Sequence, residues 1–214
     1  MPSIGSLAAV AMLLVSGAHA HFQVQHPDVI QPFVDDSEPD APCGGYTPDP
    51  AKLNATDFHV DGDWLSTRQT HPYSNWLYRI TTDLTAAGNW TEIYPIFRQT
   101  GQGEFCIPKV TVPQNFTGQT AILGFVSDAP DGLLYQCAAV RFVEGSVEAP
   151  AECKNASGVT ADYISDSNLS PLVNNPSEEK ATSFGVSARS DTFRGLGAMF
   201  TVGVMVMVGA FMVV

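Results

Sequence analysis

Hydrophobic and polar residues alternate in short runs through the middle of the chain, and turn-forming residues close each run. The runs read HFQVQ, WLYRITTDL, TEIYPIF, PKVTVP, TAILGFVS and LLYQCAAVRFV, and the breaks include SEPDAPCGG, TPDP, TAAGN, TGQGE and DAPDG. Period-two alternation with β-branched and aromatic residues is typical of strands, and clusters of Gly, Pro, Asn and Asp end them. The pattern predicts an all-β protein, an immunoglobulin-like β-sandwich.

An apolar block near the amino terminus has the features of an export signal rather than of a strand. Residues 5–15 are too few to span a bilayer, and Ala18-His19-Ala20 supplies the small residues of a leader cleavage site. We therefore expect residues 1–20 to be a signal peptide and the mature chain to begin at His21.

A second apolar block occupies residues 195–214 and carries no basic residue behind it, as a transmembrane anchor normally would. Three small residues, Ala181-Thr182-Ser183, and a mostly polar spacer precede it, which is the pattern of a GPI attachment signal. We expect attachment at Ala181, with Gly185 and Ser187 as alternatives, and removal of residues 182–214. A tail-anchored membrane helix is the competing interpretation.

These signals leave residues 21–153 for one folded domain. Residues 154–181 contain little apolar sequence, so we expect them to form a flexible, glycosylated stalk. The predicted location is the outer face of the plasma membrane or the cell wall. Five acceptor sequons agree with passage through a eukaryotic secretory pathway; they lie at Asn54, Asn89, Asn115, Asn155 and Asn168.

The net charge of the protein limits the kinds of molecule that it can bind. Twenty-two acidic residues against ten basic ones give a net charge of −12, which disfavours binding of nucleic acid and favours binding of cations.

Four cysteines predict two disulfides in an exported chain, and three pairings are open. Their spacing fits no zinc motif. They are Cys43, Cys106, Cys137 and Cys153.

A free amino-terminal histidine would offer two nitrogen ligands, its α-amine and an imidazole nitrogen. A second imidazole would complete a planar set of three nitrogens, which suits Cu(II). The mature sequence offers three partners, His26, His59 and His71. We favour His71 because it stands in a turn-rich loop just before a strand, and loops on a rigid sandwich commonly carry sites.

Several ordered segments resemble a known family over about residues 21–145. The start HF.V..P, EPDAPCGGY, QGEFCIPKVTVP and PDGLLYQCAAVRF are similar to the fungal copper acquisition factors, which are GPI-anchored, copper-binding relatives of lytic polysaccharide monooxygenases. The resemblance implies a monooxygenase-like β-sandwich that binds one Cu(II) through a histidine brace and a carboxylate. The matching positions are His21, His71 and Asp131, with Asp128 as the alternative carboxylate. Where many members read CAD, this chain has Cys137-Ala138-Ala139, one acid fewer.

A carboxylate beside copper stabilises Cu(II) over Cu(I) and occupies a position that oxygen activation needs. We therefore expect a cell-surface protein that captures or buffers copper for uptake or cell-wall remodelling, with a copper transporter or wall components as partners and no catalytic residues. The alternative is a lytic polysaccharide monooxygenase acting on a wall polysaccharide. A third interpretation is a structural wall protein whose His21 is incidental.

Overall fold

The computed structural model describes residues 20–174. The predicted leader, the predicted attachment residue Ala181 and the apolar block at residues 195–214 lie outside this range, so their processing stays a prediction. Within residues 20–174 no helix is long and apolar enough to cross a membrane. All five sequon asparagines lie inside the range and are exposed, as glycosylation requires, and their modification stays a prediction.

Nine strands form two sheets in the described part of the chain. The strands are β1 Phe22–His26, β2 Thr56–His59, β3 Asp63–Gln69, β4 Tyr73–Thr81, β5 Thr91–Thr100, β6 Gly103–Val110, β7 Thr120–Ala129, β8 Gly132–Val143 and β9 Thr160–Tyr163. One sheet has the order β1-β3-β6 and the other β2-β8-β7-β4-β5-β9. Three short 3-10 helices complete the structure, at Asp35–Ser37, Gln114–Phe116 and Ser170–Leu172. The all-β prediction is confirmed.

The six-stranded sheet is buried on both faces. Its inner face packs against the three-stranded sheet through large aromatic side chains such as Trp76, Tyr78 and Phe125. Its outer face carries a second core that includes Leu77 and Trp90. Because both faces are buried, β7 and β8 are mostly apolar rather than strictly alternating, and β4 buries polar residues such as Ser74 and Arg79 as well.

Strands β7 and β8 form a hairpin whose pairing runs from Thr120 opposite Arg141 to Ala129 opposite Gly132. The connecting turn therefore consists of Pro130 and Asp131. Gly132 has φ 125°, a value that L side chains rarely adopt, so a glycine is favoured directly after this turn. The turn presents Asp131 at one end of the six-stranded sheet.

The two predicted disulfides are present, and the structure settles their pairing. Cys43 pairs with Cys137, which ties the long segment between β1 and β2 to β8. Cys106 pairs with Cys153, which ties the chain after β8 to β6.

The prediction of a flexible stalk at residues 154–181 is wrong for its first part. Strand β9 pairs antiparallel with the edge strand β5, with Phe97 opposite Tyr163. Leu169 is completely buried and Val173 nearly so, both in the outer core. The few apolar residues of this segment are spaced to reach that core, so the domain extends to residue 174 rather than ending at Cys153. Residues 175–181 of the predicted stalk lie outside the described range.

Candidate metal centre

The first strand fixes His21 next to the loop that carries His71. Phe22 lies opposite Gln69 in the β1–β3 register, which sets His21 beside Thr70. The backbone N–H and hydroxyl of Thr70 both donate to the His21 carbonyl oxygen, at 2.9 and 3.0 Å. The backbone N–H of His21 in turn donates to Thr70 Oγ1 at 3.0 Å. His21 is therefore anchored to the residue that immediately precedes His71.

His71 lies in the loop between β3 and β4, and its side chain contacts Asp131. The Nε2 atom of His71 is 2.7 Å from Asp131 Oδ1. His71 is 2 % exposed, whereas the Asp131 side chain is 39 % exposed. Strands β4 and β7 pair with Asn75 opposite Asp128, which brings the β7–β8 turn to the β3–β4 loop. In the described structure the other ring nitrogen, His71 Nδ1, is buried and has no hydrogen-bond partner.

The imidazole of His21 has an aromatic and an acidic neighbour. Its ring centroid lies 4.7 Å from that of Phe33. Its Nδ1 atom is 3.3 Å from Asp35 Oδ1, close enough for an ion pair when the ring is protonated. Among residues 20–174 this buried nitrogen has no hydrogen-bond partner. A buried nitrogen without a partner is available to a ligand.

A buried carboxyl group that sequence reasoning missed, Glu38, lies beside these residues. Its Oε1 accepts hydrogen bonds from Gln136 Nε2 at 2.8 Å and from the Phe22 N–H at 3.4 Å. The pKa of Glu38 is raised to about 8, chiefly because the group is buried; the two hydrogen bonds oppose the rise, and the negative charges of Asp35 and Asp131 add to it. Glu38 is therefore mostly protonated at pH 7, and its Oε2 has no partner within the described residues.

Gln136 on β8 holds the first strand in place. Its Nε2 donates to the Phe22 carbonyl oxygen at 2.5 Å, and its Oε1 accepts from the Val24 N–H at 3.1 Å. These bonds link the start of the three-stranded sheet to the six-stranded sheet. The signal in the sequence was Gln136 itself, a polar residue directly before Cys137 in a mostly apolar strand.

The alternative ligands from the sequence belong to other contacts. His59 Nδ1 is 2.9 Å from Asp63 Oδ2, and His26 Nε2 is 3.8 Å from Asp63 Oδ1. Burial works against ionisation of Asp63, but the nearby His26 ring and hydrogen bonds from His59 and from backbone N–H groups hold its pKa below the ordinary value. Asp128 Oδ2 accepts from Asn168 Nδ2 at 2.9 Å. The structure thus brings His71 to Asp131 and engages His59 and Asp128 elsewhere.

No group of three or more His, Cys, Asp or Glu side chains between residues 20 and 174 is arranged to hold a metal ion. Two donors nevertheless stand in contact, His71 Nε2 and Asp131 Oδ1, and the Nδ1 atom of His21, whose backbone is bonded to Thr70, lacks a hydrogen bond. Imidazole nitrogen with a carboxylate oxygen is a donor set that Cu(II) accepts. These donor atoms therefore suit copper chemically, although His21 does not form a three-ligand group with them in the described structure.

A family model for copper acquisition factors of the BIM1-like type matches residues 19–158. The chain belongs to the BIM1-like copper acquisition factor family. The matched range contains β1 to β8, both disulfides, His21, His71 and Asp131, and it ends before β9. Membership confirms the resemblance seen in the sequence and supports a copper-related role for the protein.

The chain is also similar to two curated proteins. A Yarrowia lipolytica protein named lytic polysaccharide monooxygenase-like protein X325 is 31% identical over 181 residues, which cover 79% of this chain and 67% of the relative. An uncharacterized Aspergillus fumigatus protein is 30% identical over 154 residues, which cover 66% of this chain and 62% of the relative. The BIM1-like chain thus spans about two thirds of the length of each relative.

Proposed function

We propose that the mature protein binds one Cu(II) ion through His21, His71 and Asp131 and holds it for uptake or buffering at the cell surface. The contact of 2.7 Å between His71 Nε2 and Asp131 Oδ1 carries the proposal, because it joins an imidazole and a carboxylate next to Thr70, the residue to which His21 is hydrogen-bonded. The hydrogen bonds between His21 and Thr70 keep the first residue of the predicted mature chain at this position.

Removal of the leader supplies the third nitrogen. In the full chain the His21 nitrogen is a peptide N–H, which donates to Thr70 Oγ1 and is a poor copper ligand at neutral pH. Cleavage after Ala20 converts the same atom into an amine. The α-amine and Nδ1 of His21 then form a chelate, and His71 Nε2 adds a second imidazole.

The acidic surroundings favour stable binding of Cu(II) over redox cycling between Cu(II) and Cu(I). Asp131 would contact the ion directly, and Asp35 lies 3.3 Å from the His21 ring. Negative charge near the ion stabilises Cu(II) relative to Cu(I) and so works against a redox cycle. Capture of the oxidised ion is the function that this arrangement serves.

The decisive experiment compares two forms of the protein, one beginning at His21 and one carrying a single additional Gly before it. We expect the first form to bind one equivalent of Cu(II), with nitrogen hyperfine structure in its electron paramagnetic resonance spectrum. The extended form should lose at least tenfold in affinity because its His21 nitrogen is again an amide. Equal affinity and equal spectra for the two forms would refute the chelate.

A monooxygenase is the second candidate, because the Yarrowia relative carries a lytic polysaccharide monooxygenase-like name. The copper-loaded protein can be incubated with chitin, cellulose and β-glucan together with a reductant, and the soluble products examined by mass spectrometry. We expect no oxidised oligosaccharides. Their release, and its loss in His71→Ala, would establish the enzymatic alternative instead.

We also propose that the protein is anchored by GPI at Ala181 on the outer face of the plasma membrane, where a copper transporter or wall components would be its partners. The pattern of small residues, polar spacer and apolar block supports the anchor. Treatment of intact cells with phosphatidylinositol-specific phospholipase C should release the protein. Retention on the cells after this treatment would favour a membrane helix.

A further inference from the structure

A cavity of about 470 Å³ lies on the outer face of the six-stranded sheet, away from the candidate metal centre. Its lining combines one basic and two aromatic side chains, Arg79, Trp90 and Tyr135, with small apolar residues such as Ala86 and with Leu172. Arg79 lies near the end of β4 and is eight residues beyond His71 in the chain, a separation of roughly 26 Å if the segment is extended. None of the residues proposed for copper is among those that line the cavity, so the two are separate sites.

The guanidinium group of Arg79 is buried within this lining. Arg79 is 4 % exposed, its Nη1 donates to the Leu172 carbonyl oxygen at 2.7 Å, and its Cζ atom lies 4.1 Å from the centre of the Trp90 ring. In the described structure its Nε is buried and has no hydrogen-bond partner. A buried N–H left without a partner costs free energy, which a suitable acceptor would recover.

Arg79 remains a cation at this position. Burial lowers its pKa to about 10, and Tyr135 acts in the opposite direction. The guanidinium group is thus charged at neutral pH although it is almost completely shielded from water. A desolvated cation interacts strongly with an anion that can reach it.

Gly124, on the neighbouring strand, leaves the space in which Arg79 and Trp90 contact each other. Gly124 lies opposite Arg79 in the β4–β7 register. A Cβ atom at Gly124 would lie 3.0 and 3.1 Å from two Trp90 ring carbons and 3.4 Å from Arg79 Cγ. The Trp90 carbonyl oxygen also accepts from the Asn174 N–H at 2.9 Å. The absence of a side chain at Gly124 is therefore what lets the indole ring lie over the guanidinium group.

The loop that supplies the cavity rim is held in an uncommon conformation. Ala86 and Asn89 have φ values of 59° and 57°, in the left-handed region that residues other than glycine seldom occupy. Bonds within the loop fix it: Thr81 Oγ1 donates to the Gly88 carbonyl oxygen at 2.6 Å, and the Ala86 N–H donates to the Asp83 carbonyl oxygen at 2.8 Å. Backbone strain of this kind persists where surrounding contacts enforce it, and it concentrates at ligand sites.

We propose that this cavity, the Arg79 pocket, binds a small organic carboxylate. The planar guanidinium fork matches a carboxylate, and the Tyr135 hydroxyl is a second donor in the lining. The carbon body of the ligand would contact the apolar wall formed by Ala86 and Leu172. The negative net charge of the protein opposes anions at long range, so affinity comes from these short-range contacts.

The test uses the metal-free mature protein and three probes, benzoate, acetate and inorganic phosphate, followed by nuclear magnetic resonance. Benzoate should shift the Arg79 Nε–H and Trp90 Nε1–H signals in a saturable manner, and it should bind at least tenfold more tightly than acetate or phosphate because only benzoate has an apolar body. No saturable shift with benzoate, or equal affinity for all three probes, would overturn the proposal.

Variants separate the pocket from unspecific anion binding. Arg79→Lys keeps the charge but loses the fork, so benzoate affinity should fall at least tenfold; Tyr135→Phe should lower it severalfold. Arg68→Lys, at an exposed position on β3, is the matched control and should bind benzoate normally. Equal loss in Arg79→Lys and Arg68→Lys would contradict the pocket. Unchanged near-ultraviolet circular dichroism verifies that each variant is folded.

The chain itself contains another source of carboxylates, Glu178 and Glu179, a few residues beyond Asn174. A double variant, Glu178→Gln with Glu179→Gln, distinguishes this source from a free ligand. We expect its benzoate affinity and its Arg79 signal to equal those of the unaltered protein. A marked rise in affinity together with a shifted Arg79 signal would show that the chain's own carboxylates occupy the pocket, which would overturn the free-ligand proposal.

Discussion

His71 and Asp131 are in contact although sixty residues separate them along the chain. The contact depends on the pairing of β4 with β7, which places the β3–β4 loop beside the two-residue turn between β7 and β8. Because both positions are set by strand pairing rather than by a long loop, the two side chains are oriented before any ligand arrives. Preorganised ligands lose little entropy on binding, which favours tight capture of a metal ion.

Replacing Asp131 by Asn keeps the shape of the side chain and removes its charge. If Asp131 is a copper ligand, Asp131→Asn should weaken Cu(II) binding by at least tenfold, about 1.4 kcal/mol, in a competition titration against a chelator. Asp128→Asn is the matched control because Asp128 is bonded to Asn168. A larger loss in Asp128→Asn than in Asp131→Asn would reverse the assignment.

Replacing His71 and His59 separately tests which of the two supplies the second imidazole. His71→Ala should abolish tight Cu(II) binding and remove part of the nitrogen hyperfine structure, because it deletes one nitrogen ligand. His59→Ala should leave both unchanged, since His59 is engaged by Asp63. Electron paramagnetic resonance at one equivalent of copper measures the outcome, and an unaltered spectrum in His71→Ala would exclude it as a ligand.

Glu38 should make the stability of the metal-free protein depend on pH. Its pKa is about 8 in the folded protein, against an ordinary value of 4.5. Between these values the folded protein keeps a proton that the unfolded chain releases, so the contribution of Glu38 to stability is full below about pH 4.5 and declines as the pH rises toward 8. Glu38→Gln should remove this decline and raise the free energy of unfolding at pH 8 relative to the unaltered protein.

Urea unfolding at several pH values, from 5 to 8, measures the effect. Glu104→Gln, at an exposed position on β6, serves as the control and should retain the original pH profile. A Glu38→Gln profile as steep as that of the unaltered protein would show that Glu38 is not the titrating group.

Gly124 should tolerate no side chain, because a Cβ atom there would lie 3.0 Å from the Trp90 ring. Gly124→Ala is expected to lower the free energy of unfolding by about 1–3 kcal/mol, as overpacking in a core commonly does. At Gly88 an added Cβ meets no atom within 4 Å, so Gly88→Ala should change stability by less than about 0.5 kcal/mol. Equal unfolding midpoints for the two variants in urea would contradict the packing argument.

The sequence predicted the fold well because its signals are local. Period-two alternation and turn residues located the strands, and four cysteines in an exported chain indicated two disulfides. The pairing of Cys43 with Cys137 was beyond prediction, since three pairings are compatible with the same spacing. The end of the domain was misplaced because β9 is exposed along its length and is held by backbone pairing, which leaves no alternating pattern.

Some residues of the candidate site could also be found from the sequence, and others could not. His21, His71 and Asp131 were singled out by the leader junction, by a loop position and by a family resemblance. Glu38 was missed because its environment depends on Gln136, a residue 98 positions away. Asp35 was missed because an acid in a turn-rich segment has no distinguishing pattern; only the folded chain places it 3.3 Å from the His21 ring.

The attachment of the last described residues has a mechanical consequence. A force applied to the chain beyond Asn174 is first borne by the bonds from Asn174 to Trp90 and from Arg79 to Leu172. Next in line is β9, which would peel from β5 one hydrogen bond at a time. The Cys106–Cys153 crosslink then stops the peeling before it can reach β8. His71 and Asp131 are therefore shielded from tension at the carboxyl end of the domain.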